Sequence, residues 1–176
     1  DALVACGTGG NNPGSGFGVV MTKIIKAFRG SYARSKLLYA LVFGTYYKKF
    51  GATGGFEWLT RDTDMVAIHD ADKLCTFDFS VSALLDLITL NRRANSKKWF
   101  EAVDTEKPVL LIAGSDDPVG NYGKGVKEVY DRLVATGHKN VSLKLYDGAR
   151  HEILNETNRD EVNKDLTDFI RSVTEE

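Results

Sequence analysis

The sequence predicts a parallel, doubly wound α/β sheet that carries a helical insertion. Three segments have the length of strands, at residues 2–6, 109–113 and 141–146. The first two are apolar throughout, like strands that a parallel sheet buries on both faces, whereas the third alternates apolar and polar residues, as a half-exposed edge strand does. A helical pattern separates the second strand from the third, which is typical of parallel strands joined by a crossover helix.

Two amphipathic helices are expected to cover this sheet. One lies between the second and third strands, at residues 123–137, and Gly137 is its expected C-cap. The other follows the third strand, and we expect the charged residues from Glu152 to Glu176 to form its solvated face. Both place apolar residues three or four positions apart, which gives a helix one apolar face. These apolar residues are Val126, Val129, Tyr130, Leu133 and Val134 in the first helix and Val162, Leu166, Phe169, Ile170 and Val173 in the second.

A long insertion separates the first strand from the second. It spans about a hundred residues, whereas a crossover connection needs only a dozen or so. One of its predicted helices, at residues 35–49, is apolar nearly all round, so it either packs inside the fold or forms the inner wall of a lid over an apolar pocket. The predicted helices are residues 20–29, 35–49, 63–71 and 80–102, with a glycine-rich turn at residues 50–55.

The chain therefore divides into three predicted regions. Residues 1–19 hold the first core strand and its following loop, residues 20–102 form a helical cap, and residues 103–176 form a C-terminal α/β core. We expect the cap to lie over the carboxyl ends of the strands, because the first strand delivers the chain there.

Composition excludes several function classes. The chain has 176 residues, of which 43% are hydrophobic and 27% are charged, and this balance is typical of one compact domain. Its formal net charge is −1 and its basic residues are dispersed, so we expect neither nucleic acid nor an anionic membrane surface as a partner. The two cysteines, Cys6 and Cys75, lack metal-binding spacing and indicate a reduced, cytoplasmic chain, although a single bridge between them stays open.

Candidate catalytic residues follow the second and third strands. Asp116 and Asp117 come directly after the second strand, and His151 comes shortly after the third. Parallel strands end at the same edge of a sheet, where ligands and chemistry gather. A histidine acts as a general base when a carboxylate holds its second ring nitrogen. The pattern alone leaves open which carboxylate does so, although Pro118 restricts the backbone of Asp117 to extended conformations.

Other motifs are weaker. The glycine-rich segment 7–18 departs from the spacing of nucleotide-binding loops and is interpreted as a flexible loop after the first strand. The segment from His69 to Cys75 holds metal-capable side chains but is interpreted as solvated surface, and His138 is expected to be exposed in a turn. We expect neither a metal nor an organic cofactor.

Several quoted segments resemble a known family. "GSDDPVG", "GKGVKEVYDRL" and "KLYDGARHEILNE" resemble the C-terminal part of the α/β-hydrolase family, in its monoacylglycerol lipase and lysophospholipase-like branch, also described as serine aminopeptidase-like. "DALVACGTGG", "LLYALVFGTYYKKF", "FEWLTRD" and "DKLCTF" resemble the sixth strand and cap insertion of that branch, so the resemblance covers essentially the whole chain. It implies that Asp117 is the acid and His151 the base of a Ser-His-Asp triad.

The sequence departs from that family at one point. It contains no G-x-S-x-G nucleophile motif, which in the family precedes the sixth strand. We therefore expect a C-terminal fragment of a serine ester hydrolase that is inactive alone. Its expected partners are the missing N-terminal part of the same protein and a small lipid-like ester. The unprotected first strand could also pair with a second copy of the chain.

The resemblance implies hydrolysis of carboxylic esters such as monoacylglycerols or lysophospholipids. Two alternatives stay open. One is a catalytically silent protein-binding module of the same fold. The other is a peptidase or thioesterase, since the family includes members of both kinds.

Overall fold

The sheet of the protein has three parallel strands. The computed structural model describes residues 2–50 and 55–174. Its strands are β1 (Leu3–Cys6), β2 (Val109–Gly114) and β3 (Val141–Tyr146), and they lie in the order β1, β2, β3. The predicted parallel sheet is confirmed, and each strand lies where the apolar segments predict it.

Strand β2 lies at the centre of this sheet. Val109 is opposite Leu3 on one side and opposite Val141 on the other. Every residue of β2 is buried, whereas β1 and β3 are only partly buried, and Leu3 and Cys6 are exposed. Among the described residues β1 has a strand neighbour on one side only, so its apolar sequence lies at an edge.

Seven α-helices accompany the strands within the described residues. Two short 3-10 turns, Lys48–Phe50 and Ile153–Asn155, add to them. In chain order the helices are α1 (Ser15–Arg29), α2 (Lys36–Phe43), α3 (Thr63–Ala71), α4 (Val81–Ala94), α5 (Lys97–Ala102), α6 (Lys124–Ala135) and α7 (Arg159–Thr174).

The side chains of β2 point alternately to two cores on opposite faces of the sheet. Leu111 and Ala113 pack with helix α6, while Leu110 and Ile112 pack with Val162 of helix α7. This alternation follows from the two-residue period of a strand. It explains why β2 must be apolar throughout, and it confirms that helices cover both faces of the sheet.

The structure has helix in each of the four predicted helical regions of the insertion, but the bounds of some helices differ. The helix predicted at 20–29 begins earlier, at Ser15, and the one predicted at 35–49 ends at Phe43 because the chain turns at Gly44. The helix predicted at 80–102 is two helices, since the side chain of Ser96 caps a new one by accepting from the Trp99 amide. Helix α3 has the predicted bounds, and the turn predicted at 50–55 falls mostly outside the described residues.

Helices α1, α2 and α4 share a small core of their own. Leu38, Val81 and Leu84 are its buried members, and Met21, Ile25 and other partly buried residues pack around them. Helix α2 is apolar on both sides, because Leu38 packs in this core while Leu37 and Leu41 are more than half exposed. The boundaries proposed for the three regions of the chain stay a prediction.

His138 is buried, so its predicted exposure is wrong. Its Nδ1 lies 3.0 Å from the carbonyl oxygen of Leu133 and 3.2 Å from Oγ1 of Thr136, at the end of helix α6. The imidazole therefore adds one more hydrogen bond at the end of helix α6, where the Leu133 carbonyl also accepts from the amides of Thr136 and His138. Within the part of the chain that the structure describes, no helix is both long and apolar enough to cross a bilayer.

Candidate active site

The loops after β2 and β3 meet at the carboxyl end of the sheet. The Ser115 amide donates to the carbonyl of Tyr146 at 2.9 Å, and the Asp116 amide donates to the carbonyl of Ala149 at 2.9 Å. Gly114 is tightly enclosed there, since a Cβ would lie 2.1 Å from the Ala149 oxygen. These contacts hold the loop that carries the two aspartates against the loop that carries His151.

Asp117 and His151 form a hydrogen-bonded pair. Nδ1 of His151 lies 3.0 Å from Oδ2 of Asp117, whose side chain is fully buried. The other carboxylate oxygen of Asp117 accepts from the Val119 amide at 2.8 Å. The carboxylate is thus fixed by its own turn and offers one oxygen to the imidazole, which holds the ring in one orientation.

Asp116 points elsewhere. Its Oδ1 lies 2.6 Å from Nζ of Lys49, which belongs to the insertion, and both side chains are partly exposed. The ammonium of Lys49 also lies 4.9 Å from the ring centre of Tyr122. Of the two adjacent carboxylates, the structure therefore brings only Asp117 to His151.

The imidazole of His151 is enclosed on two sides. A Cβ at Gly7 would lie 3.2 Å from its Cε1 and Nδ1, so the residue after β1 has to be small. The indole of Trp58 packs against the ring with the two centres 5.4 Å apart. The His151 side chain keeps 28% of its surface exposed, and this part of the ring lines a cleft.

This cleft has a volume of about 700 Å3 and lies between the insertion and the carboxyl end of the sheet. Aromatic side chains of the insertion form much of its wall, with Tyr46 against Trp58 and Phe43 against Phe79. The insertion therefore lies at the same end of the sheet as Asp117 and His151, where we expected it. A mostly apolar cleft with few polar groups is typical of a small-molecule site.

Comparison with known proteins identifies the family. The sequence profile of the family described as serine aminopeptidase, S33 matches residues 4–158. The chain belongs to this family. The resemblance to α/β-hydrolases that the sequence predicts is thereby confirmed, and the three parallel strands with flanking helices are part of an α/β-hydrolase fold.

Solved structures of hydrolases are similar to this S33-family chain. A highly thermostable carboxyl esterase from Bacillus coagulans, in complex with glycerol, is 30% identical with a TM-score of 0.88 over 97% of this chain. A lipase in its open form is 33% identical with a TM-score of 0.83 over 98% of this chain. A monoglyceride lipase from Saccharomyces cerevisiae, at 19% identity over 98% of this chain and a TM-score of 0.69, shares the fold.

The chain spans only part of those structures. It covers 56% of the carboxyl esterase, 57% of the lipase and 56% of the yeast enzyme. No curated protein sequence matched this S33-family chain.

Asp117 influences two further groups near the site. Burial and then the negative charge of Asp117 raise the pKa values of the Cys6 thiol and the Tyr46 hydroxyl. A raised pKa favours the neutral form of the Cys6 thiol, which is a poor nucleophile. Ser115, the serine beside the two aspartates, accepts from the Gly148 amide at 2.8 Å and lies 3.5 Å from a carboxylate oxygen of Asp147.

Glu156 is a site residue that sequence reasoning missed. It falls in the segment predicted to be a solvated face, but its side chain is fully buried, so that prediction is wrong at this position. Its carboxylate accepts four hydrogen bonds, from the amides of Arg61, Arg150 and Thr157 and from Nε of Arg61. Burial raises the pKa of this carboxyl, but these hydrogen bonds together outweigh burial and hold the pKa below its usual value.

The remaining candidates do not join the site chemistry. Cys6 and Cys75 are both free, so the alternative of a bridge between them is wrong. Cys75 is exposed and lines the cleft, as does His69, whose ring packs on Phe56 with centres 4.4 Å apart. Among the described residues, no three histidine, cysteine, aspartate or glutamate side chains group as a metal site.

The glycine-rich loop after β1 has a packing role. A Cβ at Gly10 would lie 2.5 Å from the Cα of Gly125, at the start of helix α6. Two backbones can approach this closely only where both residues lack side chains. The glycines therefore let the loop after β1 lie against the start of helix α6, and the flexibility expected of this loop stays a prediction.

Proposed function

We propose that this chain supplies the acid and the base of a Ser-His-Asp triad in a serine ester hydrolase. The observation that carries the proposal is the 3.0 Å contact between Nδ1 of His151 and the buried carboxylate of Asp117, beside an apolar cleft. A carboxylate in this position orients the imidazole and stabilises the imidazolium that forms during the reaction.

The proposed mechanism uses a serine from a segment upstream of this chain. His151 takes the serine proton as the serine oxygen attacks the ester carbonyl, and then gives that proton to the departing alcohol. His151 next takes a proton from water as the water oxygen attacks the acyl-enzyme, and it returns that proton to the serine oxygen when the carboxylic acid leaves. Asp117 remains ionised throughout. We call the longer protein that contains this chain and the upstream segment the full-length enzyme.

The proposed substrates are carboxylic esters of lipid type, such as monoacylglycerols or lysophospholipids. The aromatic and aliphatic wall of the cleft supports an apolar acyl chain as the bound group, and its volume of about 700 Å3 is within the range of small-molecule sites. The similarity to a carboxyl esterase and a lipase supports an ester as the cleaved group.

The proposed partner of β1 is a strand of the upstream segment. Leu3 and Cys6 are exposed although β1 is apolar, and an apolar edge strand without charges is a template for pairing. A second copy of the chain is the alternative partner. Sedimentation of the chain alone and of the full-length enzyme would distinguish these two partners. Only pairing with a second copy gives a fraction of dimer that rises with protein concentration.

A fluorophosphonate probe and a p-nitrophenyl ester test the proposed function. The full-length enzyme should hydrolyse the ester and be labelled on a serine upstream of residue 1, and labelling should abolish turnover. The 176-residue chain alone should do neither, because it lacks the nucleophile. Stoichiometric labelling of a serine within the 176 residues, with turnover that the label abolishes, would contradict the proposal. An inert full-length protein would favour a protein-binding module.

The family's description supports a second candidate, which is cleavage of a peptide bond by the same groups. The pair of Asp117 and His151 serves amide hydrolysis equally well, because the base delivers its proton to the leaving amine. The rates of hydrolysis of aminoacyl p-nitroanilides and of acyl esters of equal length would decide between these two activities. Turnover of the anilides alone would replace ester hydrolysis with peptidase activity.

A further inference from the structure

The segment of the insertion at residues 57–61 lies along the loop that carries His151, residues 147–158, which we call the histidine loop. The His151 amide donates to the carbonyl of Trp58 at 3.3 Å, and the Glu152 amide donates to that of Leu59 at 2.7 Å. The hydroxyl of Thr60 donates to the carbonyl of Asn155 at 2.9 Å. The backbone on either side of the imidazole is thus held by the cap.

Two arginines cross between these segments in opposite directions. Arg61 of the cap donates through its amide to Oε1 of Glu156 at 3.0 Å and through Nε to Oε2 at 2.9 Å. Arg150 of the histidine loop donates to the carbonyls of Glu57 and Thr60. Each segment therefore supplies a cation that the other binds.

Glu156 joins Arg61 to the residue before the catalytic histidine. The same oxygen, Oε1, accepts from the Arg61 amide and from the Arg150 amide, the latter at 2.8 Å. A buried carboxylate is stable only when hydrogen-bond donors satisfy its lone pairs. The loss of one donor therefore destabilises the carboxylate and disturbs its remaining hydrogen bonds. The position of the Arg150 amide, and with it of His151, therefore depends on a residue of the cap.

We propose that Arg61 and Glu156 are positioning residues for His151, so that the cap sets the place of the general base against Asp117. This inference rests on the proposed function of His151. Neither residue needs to touch substrate, because their effect passes through the backbone of the histidine loop. A shift of about 1 Å in a catalytic group lowers a rate by roughly a hundredfold.

Three variants of the full-length enzyme test this role, with one matched control. Glu156→Gln keeps the size of the buried side chain but replaces one accepting oxygen with a donor. Arg61→Gln removes the guanidinium, and Arg61→Lys keeps its charge but loses the paired geometry. The control is Arg159→Gln, because the Arg159 guanidinium pairs with Asp62 at 3.1 Å and so joins the same parts of the chain. The hydrogen bond from the Arg159 amide to the Glu156 carbonyl is between backbone groups, so the substitution leaves it in place.

We expect kcat to fall about 10- to 100-fold in Glu156→Gln and Arg61→Gln, with KM within about twofold of the parent value. Arg61→Lys should restore part of kcat, and Arg159→Gln should leave both constants unchanged. A double variant that combines Arg61→Gln with Glu156→Gln should be no slower than the slower of these two single variants, since both changes break the same side-chain contact. A folded Arg61→Gln or Glu156→Gln enzyme with the parent kcat would overturn the proposal, as would an equal loss in the control.

The Nδ1 proton of His151 gives a readout that does not require turnover. In full-length protein with labelled histidine, the hydrogen bond to Asp117 should give a downfield proton resonance, assigned by its loss in Asp117→Asn. Arg61→Gln should broaden or shift this resonance while Arg159→Gln should not. An unchanged resonance in Arg61→Gln would overturn the positioning role even if the parent proved inactive on esters, which would contradict only the proposed function.

Discussion

The core around β2 and the cap above it are stabilised in different ways. All six residues of β2 are buried between two helices, whereas the cap buries few residues, among them Leu38 and Leu84, and leaves Leu41 and Phe77 more than half exposed along the cleft. Apolar residues in the core therefore serve the stability of the fold. In the cap many of them serve instead as the wall of a cleft, which costs stability but provides a surface for an apolar ligand.

The two candidate catalytic residues, Asp117 and His151, belong to the core and not to the cap. Asp117 and His151 extend from strand ends, where short rigid connections fix their distance. Trp58 and Arg61 extend from the cap and contact the histidine or its loop. We therefore expect substitutions in the core to cause large changes in kcat or in the free energy of unfolding. Substitutions in the cap should cause smaller changes in both quantities.

Asp117→Asn should give the largest effect. In the full-length enzyme we expect kcat to fall by roughly 10⁴-fold, because an amide cannot hold the imidazole in its productive tautomer. Folding should be preserved, since asparagine has the same size and can still accept from the Val119 amide. Steady-state kinetics with circular dichroism of the same samples would measure both.

Asp116→Asn is the matched control for that prediction. Asp116 is the neighbouring residue and is also a carboxylate, but it pairs with Lys49 instead of His151. Its kcat should stay within about twofold of the parent, because an exposed ion pair contributes little. If Asp116→Asn abolished turnover and Asp117→Asn did not, the assignment of the acid would be wrong.

Leu111→Ala, in the core, should destabilise the fold far more than a truncation of an exposed residue in the cap. Leu111 is fully buried at the centre of β2, and its loss leaves a cavity that costs about 2–5 kcal/mol. Leu41→Ala, in helix α2 of the cap, should cost less than about 0.5 kcal/mol, because Leu41 is 59% exposed. Urea unfolding of both variants measures the contrast, and equal losses would show that the cap is as tightly packed as the core.

The same contrast explains what could be predicted from the sequence. Strand β2 is apolar throughout and β3 alternates, and the parallel sheet follows from these local patterns together with the helical pattern between the two strands. The site followed from the position of Asp117 and His151 after neighbouring parallel strands, although the choice between Asp116 and Asp117 needed the resemblance to a family.

What could not be predicted depends on contacts distant in sequence. Glu156 looks like any acidic residue near a polar helix, and only the fold brings Arg61, which lies 95 positions away, to its carboxylate. Gly10 and Gly125 likewise show no common pattern, yet their backbones touch. One feature was missed although it is local. Ser96 divides a predicted helix because its side chain caps a new helix three positions before Trp99, and the apolar spacing of the segment outweighed this signal.

Gly10→Ala should have an intermediate effect, because it introduces a side chain where the loop after β1 touches the start of helix α6. The added Cβ would lie 2.5 Å from the Cα of Gly125 and 2.9 Å from its oxygen, so a backbone must move, at a cost of about 1–3 kcal/mol. Gly18→Ala in helix α1 is the control, since its Cβ would make an ordinary 3.6 Å contact with Ile88. That variant should gain up to about 1 kcal/mol through helix propensity, and a loss there equal to that of Gly10→Ala would remove the distinction.

Lys49→Gln should have the smallest effect, although it breaks a link between the cap and the core. The 2.6 Å contact with Asp116 is solvent-accessible, since the two side chains are 48% and 32% exposed, and the ammonium lies over the ring of Tyr122. Pairs of this kind contribute about 1 kcal/mol or less and weaken as salt screens them. The difference in unfolding free energy from the parent should therefore shrink between low and high salt. Lys97→Gln, which breaks the more exposed pair with Glu101 inside helix α5, is the control and should cost no more than Lys49→Gln. A loss above about 2 kcal/mol for Lys49→Gln that persists in high salt would contradict this prediction. It would show that the contact between Lys49 and Asp116 contributes strongly to holding the cap on the core.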